Sequence, residues 1–310
     1  MQMMTGLMMR DQDTEEMAGL QSEIISSPRV KALLSESLPD GTLPHHPYSK
    51  WDGAHWVLSI LADLEYPPGD QALIPLREQD YTFYFTSSQK PYLHQRFNKL
   101  IDDRTRVCAS IEANTLYALL KLELADQRCD LLARLLMGWQ WQDGGWNCDK
   151  NPTASHSSFH ETLIPMRALA LYAQKSGDSL ARASAERAAE VFLKRRLLFR
   201  MSDNKIIDPN FAKLHYPCYW HYDYLFGLKV LAEMGLISDP RCQTALDLLE
   251  SKRLPDGGFP AEAKYYHHQL DRVGSRSLVD WGGTSRVHAN PWVTLNALYA
   301  LKAAGRSLLP

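Results

Sequence analysis

The chain is predicted to be all-α, an α/α toroid in which an inner ring of helices is wrapped by an outer ring. Three observations carry this. From Cys108 onward, segments with helical apolar spacing recur at a period of about 50 residues, and self-similarity at a fixed period marks stacked supersecondary units. Alternate segments differ in kind: some are apolar on most sides, while their partners are amphipathic and highly charged, as buried and water-facing helices should be. Two of the joints between them read Asp-Gly-Gly, at 143–145 and 256–258, where two glycines permit a tight turn. No segment reads convincingly as a sheet, apart from short extended pieces near residues 81–85.

Taken in order, residues 1–17 are methionine-rich and acidic and read as a flexible tail ahead of a single toroid domain over 18–310. A helical pattern over 18–37 is broken by the prolines between 39 and 47. The segment 52–64 (DGAHWVLSILADL) is a helix, with Trp56, Ile60 and Leu64 at helical spacing and Asp52 as its N-cap. The YPPGD that follows stops it. A short helix over 71–78 leads into the aromatic run YTFYF, and KPYLHQRFNKLIDD is read as turn plus helix. Beyond Cys108 the inner helices share a small residue followed by Leu: Ala118-Leu119, Ala168-Leu169, Gly227-Leu228 and Ala297-Leu298. Segments such as SLARASAERAAEVFLKRR form the outer ring. Roughly five to six helix pairs result.

Composition narrows the function classes. A hydrophobic content of 45% with 23% charged residues is ordinary for a globular protein. A formal net charge of −2 argues against a general nucleic-acid binder, which would carry a basic face. No apolar run approaches the roughly 18 to 20 residues needed to span a bilayer. The N-terminus is too acidic for a signal peptide, and five cysteines without regular spacing make no disulfide framework, so a cytoplasmic setting is expected.

At WQWQDGGW (139–146) and PDGGF (255–259) the chain resembles the terpenoid cyclase and protein prenyltransferase repeat superfamily. Gln140, Gly144 and Trp146 fit the QW motif of squalene-hopene cyclases. SFHETLIPMRAL (158–169) and WVTLNALYAL (292–301) look like that family's inner helices, and the likeness runs from about Asp52 onward. It is closest to short bacterial squalene-cyclase-like proteins with a DGGWNCD loop. The resemblance implies an isoprenoid or other small-molecule substrate in a central cavity. Those cyclases protonate an alkene with the central Asp of a DxDD segment, and the matching SIEANT (110–115) keeps only Glu112. Protein prenyltransferases hold zinc with an Asp-x-Cys pair and a histidine; the matching WDGAH carries Ala54 at the cysteine position.

In a toroid the N-terminal ends of the inner helices gather at one rim, with their dipoles pointing into the cavity mouth. Those ends carry Asp52 and His55, Glu112 and Asn114, His156, His160 and Glu161, His221 and Asp223, and His288 and Asn290. Each also has a structural reading, as a cap, a first-turn carboxylate or a locally bonded histidine. The catalytic candidates are Glu161 and Asp223 as paired acid and base, with His160 and Glu112. Trp146, Trp220, Tyr222, His221, His55 and His288 are candidate substrate contacts. Arg167 would bind an anionic group or pair with a structural carboxylate. If the helix begins at His156, His156 and His160 share one face, and with Cys148 and Asp149 they make a conceivable site for a divalent metal such as zinc. Without a metal, Cys148 beside either histidine is a candidate nucleophile. The functional readings left open are a terpenoid-cyclase-like enzyme, a sugar lyase or hydrolase using paired carboxylates, and a non-catalytic toroid that binds a hydrophobic ligand. Glu161→Gln and Asp223→Asn are expected to abolish turnover while leaving thermal stability nearly intact.

Overall fold

The computed structural model describes residues 15–85, 100–101, 104–268 and 274–308. Among the described residues 51% are helical and almost none are in strands, so the fold class is all-α. The chain divides into two compact units. One comprises Glu15–Arg187 with Tyr266–Asp280; the other comprises Ala188–Tyr265 with the segment that begins at Trp281. Among the described residues no helix is long and apolar enough to cross a membrane.

The first unit opens with α1 (Glu15–Ser26) and α2 (Pro28–Leu33). The single helical pattern expected over 18–37 is interrupted because Ser27 caps α2 and Pro28 occupies its first turn. Helix α3 (Ala54–Asp63) is buried from Ala54 to Ala62, and its N-cap is Gly53, not Asp52. Asp52 is committed elsewhere: Oδ2 accepts from Arg276 Nε at 2.9 Å and Oδ1 from Ser49 Oγ at 2.6 Å. Gly53 sits where the preceding backbone crosses the helix start, and a Cβ there would collide with the carbonyl oxygens of His46 and Pro47.

The aromatic run YTFYF is helical, not extended. It completes α4 (Ile74–Phe85), whose buried residues Leu76, Asp80, Tyr81 and Tyr84 recur at helical spacing. A 3-10 turn capped by Asp70 precedes it. Most of KPYLHQRFNKLIDD lies outside the described residues. Its Leu100–Ile101 forms a two-residue strand, β1, paired antiparallel with β2 (Arg104–Thr105). Helix α5 (Ala109–Lys121) follows and is buried at every position from Ala109 to Leu120. It packs against α3, α6 (Gln127–Trp139) and α7 (Phe159–Ser176). In contrast, α6 buries only Cys129, Leu132, Ala133, Leu136 and Trp139, one stripe at helical spacing. The division between the units falls within α8 (Ser179–Leu193).

In the second unit α9 (Tyr224–Glu233) packs against α10 (Gln243–Glu250) and α11 (Pro291–Ala303). Burial on nearly all sides holds for α3, α5 and α9. It does not hold for α11, which buries only Val293, Ala297, Ala300 and Leu301.

The two Asp-Gly-Gly joints share one hydrogen-bond plan. In the first, Gly144 N donates to Trp141 O at 3.0 Å and Trp141 N to Gly145 O at 2.8 Å. In the second, Gly257 N donates to Leu254 O at 2.9 Å and Leu254 N to Gly258 O at 2.9 Å. The residue after each turn donates its N–H to a threonine on the next helix: Trp146 N to Thr162 Oγ1 at 3.1 Å, and Phe259 N to Thr294 Oγ1 at 2.8 Å. The first glycine of each turn has positive φ, 103° at Gly144 and 83° at Gly257. Gln140 fastens the first turn from the side, donating to Gly144 O at 2.7 Å and Ser184 O at 2.8 Å.

The close approach at Gly53 yields a prediction. Gly53→Ala should destabilise the protein by about 2–3 kcal/mol, because backbone rather than a flexible side chain must move. Denaturant titration against the wild type measures it; a loss below 0.5 kcal/mol would show that the chain before α3 is free to shift.

Candidate functional site

The first unit holds a buried polar cluster around His55. His55 is the second residue of α3 and 1% exposed, and Asp80 on α4 is fully buried. His55 Nδ1 lies 3.2 Å from Thr115 Oγ1 and 3.5 Å from Asp80 Oδ2. Thr115, on α5, donates its hydroxyl proton to Asp80 Oδ2 at 2.7 Å. Its oxygen is therefore left to accept from Nδ1–H, which assigns the His55 proton to Nδ1 and the lone pair to Nε2. Tyr84 OH closes the group, 3.0 Å from Thr115 Oγ1 and 3.3 Å from His55 Nδ1. Nε2 is buried and has no hydrogen-bond partner. A polar atom held in that state costs about 1–3 kcal/mol, so the fold retains it against its own stability.

Aromatic rings surround this histidine. Tyr48 lies 5.3 Å from it and Trp56 4.5 Å, ring centre to ring centre. Trp51 meets Trp56 edge-on at 4.6 Å, and Phe83 stacks near Tyr48 at 6.3 Å. Trp51, Trp56 and Tyr84 are buried, whereas Tyr48 and Phe83 are half-buried. The sequence does not single out Asp80 and Tyr84, because the aromatic residues around them suit an extended segment as well as a helix. Their helical spacing from Leu76 was the available signal.

A second cluster lies at the start of α5. Cys108, Cys148 and Glu161 bring two sulfurs and a carboxylate oxygen within 4.8 Å of one another. Glu161, in the first turn of α7, is buried; its Oε2 accepts from Ser110 N at 3.0 Å and its Oε1 from Cys148 Sγ at 3.5 Å. The hydrogen bond to Cys108, burial and the adjacent Glu161 carboxylate together push the Cys148 thiol well above its ordinary range. A thiol so raised is protonated, which opposes the covalent-nucleophile reading. Cys108 precedes α5 at its N-cap position. Glu112 and Thr115 follow it at i+4 and i+7, so one face of α5 joins the two clusters. Glu112 is fully buried on that face. On the adjoining face, Asn114 is buried and its Nδ2 has no hydrogen-bond partner.

The expected metal set Cys148, Asp149, His156 and His160 does not assemble. Helix α7 begins at Phe159, so His156 precedes it and the i, i+4 face is never formed. His156 is exposed, and its carbonyl accepts from Asn147 Nδ2 at 2.8 Å. Asp149 is exposed and uses Oδ1 to accept from Asn151 N at 2.9 Å, an Asx turn. His160 is half-buried in the first turn of α7, outside the thiol–carboxylate group.

Several other expected site residues are occupied structurally. Trp146 is fully buried and donates Nε1–H to Leu136 O at 2.9 Å, so it is core and not cavity wall. Arg167 is buried, donates to Asp63 at 2.9 Å and lies over the Tyr117 ring. In the second unit Tyr222 is fully buried, bonded to Leu197 O at 2.7 Å and stacked on Phe192. Trp220 stacks on His221 at 4.0 Å, and His221 lies flat against Tyr265 at 3.6 Å. His288 is exposed in the loop before α11, and Asn290 caps that helix.

Asp223 is the N-cap of α9. Its Oδ1 accepts from Phe226 N at 2.7 Å and its Oδ2 from His215 N at 2.8 Å, with His215 Nδ1 at 3.1 Å. Glu161 and Asp223 belong to different units, and each is engaged within its own. Comparison with protein-family models, with curated proteins and with solved structures finds no match to this chain.

These bonds overturn the expectation that Asp223→Asn leaves stability intact. The amide can accept at one oxygen only, so either the helix cap or the His215 N–H loses its partner. A loss of about 1–3 kcal/mol is expected in thermal or urea unfolding. An unchanged midpoint would show that the cap carries no stability.

Proposed function

We propose that the chain is an enzyme that moves a proton on an isoprenoid or other apolar small molecule, with His55 as proton acceptor and Glu112 as the neighbouring acid. The observation that carries this is the buried His55 Nε2, which has no partner although Asp80 and Thr115 fix the opposite ring nitrogen. A histidine oriented by a buried carboxylate, with its second nitrogen unpartnered, is equipped to take and return a proton. Asp80 stabilises the imidazolium that forms. Tyr48, Trp51, Trp56 and Phe83 supply π-faces that suit an apolar substrate and stabilise developing positive charge. Glu112 stands on the α5 face that also presents Thr115 to His55.

The scaffold that fits this reading is an α/α toroid of the terpenoid-cyclase type. Buried helices alternating with amphipathic ones, and the two matching Asp-Gly-Gly turns, support it. The same site replaces the Glu161–Asp223 pair as the centre of the proposed chemistry.

Incubation of the full chain with a panel of isoprenoid diphosphates, isoprenoid hydrocarbons and oligosaccharides, read by mass spectrometry, tests the proposal. An isoprenoid product is expected. His55→Asn and Asp80→Asn should each lower kcat by about 10²–10⁴-fold, with His55→Asn keeping its melting temperature within a few degrees. Wild-type turnover in His55→Asn would remove His55 from the chemistry. Turnover of sugars alone would replace the substrate class, and saturable binding without product would make the chain a binding protein.

A further inference from the structure

Separately from the His55 cluster, we propose that Cys108, Cys148 and Glu161 form a binding site for a thiophilic divalent cation, zinc by preference. Neither assignment depends on the other. Three residues from three places in the chain converge here: the N-cap position of α5, the loop after the first Asp-Gly-Gly turn, and the first turn of α7. Their ligand atoms lie within 4.8 Å of one another. A tetrahedral ion with bonds of about 2.3 Å to sulfur needs ligand separations of about 3.8 Å, so closure asks only for a small contraction.

The surroundings hold the ligands in place without the ion. Arg106, two residues before Cys108, is buried and clamps the loop that follows Cys148. Its Nη1 donates to Asp149 O at 2.6 Å, and its Nη2 to Ala154 O at 2.9 Å and Pro152 O at 3.3 Å. The same loop is braced by successive Asx turns at Asn147, Asp149 and Asn151. Trp141 Nε1 donates to Thr105 O at 2.8 Å, and its ring faces the Arg106 guanidinium. Glu161 is oriented by the Ser110 N–H at the positive end of α5.

Charge also favours a cation. Without one, two thiols and a carboxylate crowd one half-buried spot, an arrangement that raises the cost of every negative charge there. Binding would convert both S–H groups to thiolates and release two protons to solvent, leaving two thiolates and one carboxylate around a dication. The residual negative charge sits at the N-terminus of α5 and near Arg106, where it is tolerated. Two sulfurs and one oxygen select zinc over magnesium or calcium. Three protein ligands leave a fourth position open to water or substrate, as in zinc sites that do chemistry. Glu112 follows Cys108 by one helical turn on the same face of α5.

The test is cobalt(II) titration of the reduced, chelator-stripped full chain. One equivalent should produce an intense near-ultraviolet thiolate-to-cobalt band and the visible bands of a four-coordinate ion. Cys108→Ser and Cys148→Ser should each abolish the ultraviolet band, and Glu161→Gln should weaken binding by about 10- to 100-fold. Asp149→Asn and His156→Ala should leave it unchanged. A measurement on the wild type alone guards against variants that fail to fold: zinc should raise its melting temperature by about 5 °C or more, and a chelator should reverse the rise. No thiolate band from a wild type whose thiols both titrate would overturn the proposal. So would a mass lower by two hydrogens, which would make the pair a disulfide, or binding that survives both serine variants.

Discussion

The complete burial of α5 is the constraint on which the rest depends. A helix enclosed from Ala109 to Leu120 gives its polar side chains no water, so neighbours must accommodate Ser110, Glu112, Asn114 and Thr115. Two of those demands shape the molecule around them. Thr115 draws in Asp80, Tyr84 and His55 from α3 and α4. The backbone N–H of Ser110 draws in Glu161 from α7. Both clusters therefore answer to one buried helix, the first to the Thr115 hydroxyl and the second to a first-turn backbone N–H.

The helical rhythm was legible because it rests on spacing, and spacing survives in the sequence. The Asp-Gly-Gly turns were legible for a related reason, since glycine is favoured where φ is positive, as at Gly144 and Gly257, and at Gly144 the Arg187 carbonyl of a neighbouring helix also leaves no room for a Cβ. What could not be read was which side chains meet. Asp80 was hidden in an aromatic run whose residues suit strands as well as helices. Cys108 looked like the ordinary start of a helix, and its partner Cys148 lies forty residues away. The histidine pair failed on a boundary: α7 starts three residues later than the metal geometry required, and boundaries are the least determined part of a pattern.

Aromatic residues next to chemistry-bearing positions in the sequence are core in the structure. Trp146 and Tyr222 stand beside chemistry-bearing residues in sequence, yet each points its polar atom at a backbone carbonyl and its ring into the core. The rings that lie against the buried, unpartnered nitrogen of His55, Tyr48 and Trp56, come with their own neighbours Phe83 and Trp51 from a stretch with no Asp-Gly-Gly signature. Nearness along the chain was the wrong guide, because a helix turns successive residues to different faces.

Each Asp-Gly-Gly turn leaves one backbone N–H that only a threonine on the following helix satisfies. Such a turn cannot close before that helix has formed and docked, and it cannot open without releasing it. The smallest element able to unfold locally is thus a turn together with the helix beyond it, not the loop by itself. Amide exchange at Trp146 and Phe259 therefore reports on the detachment of α7 and α11, although neither residue belongs to a helix.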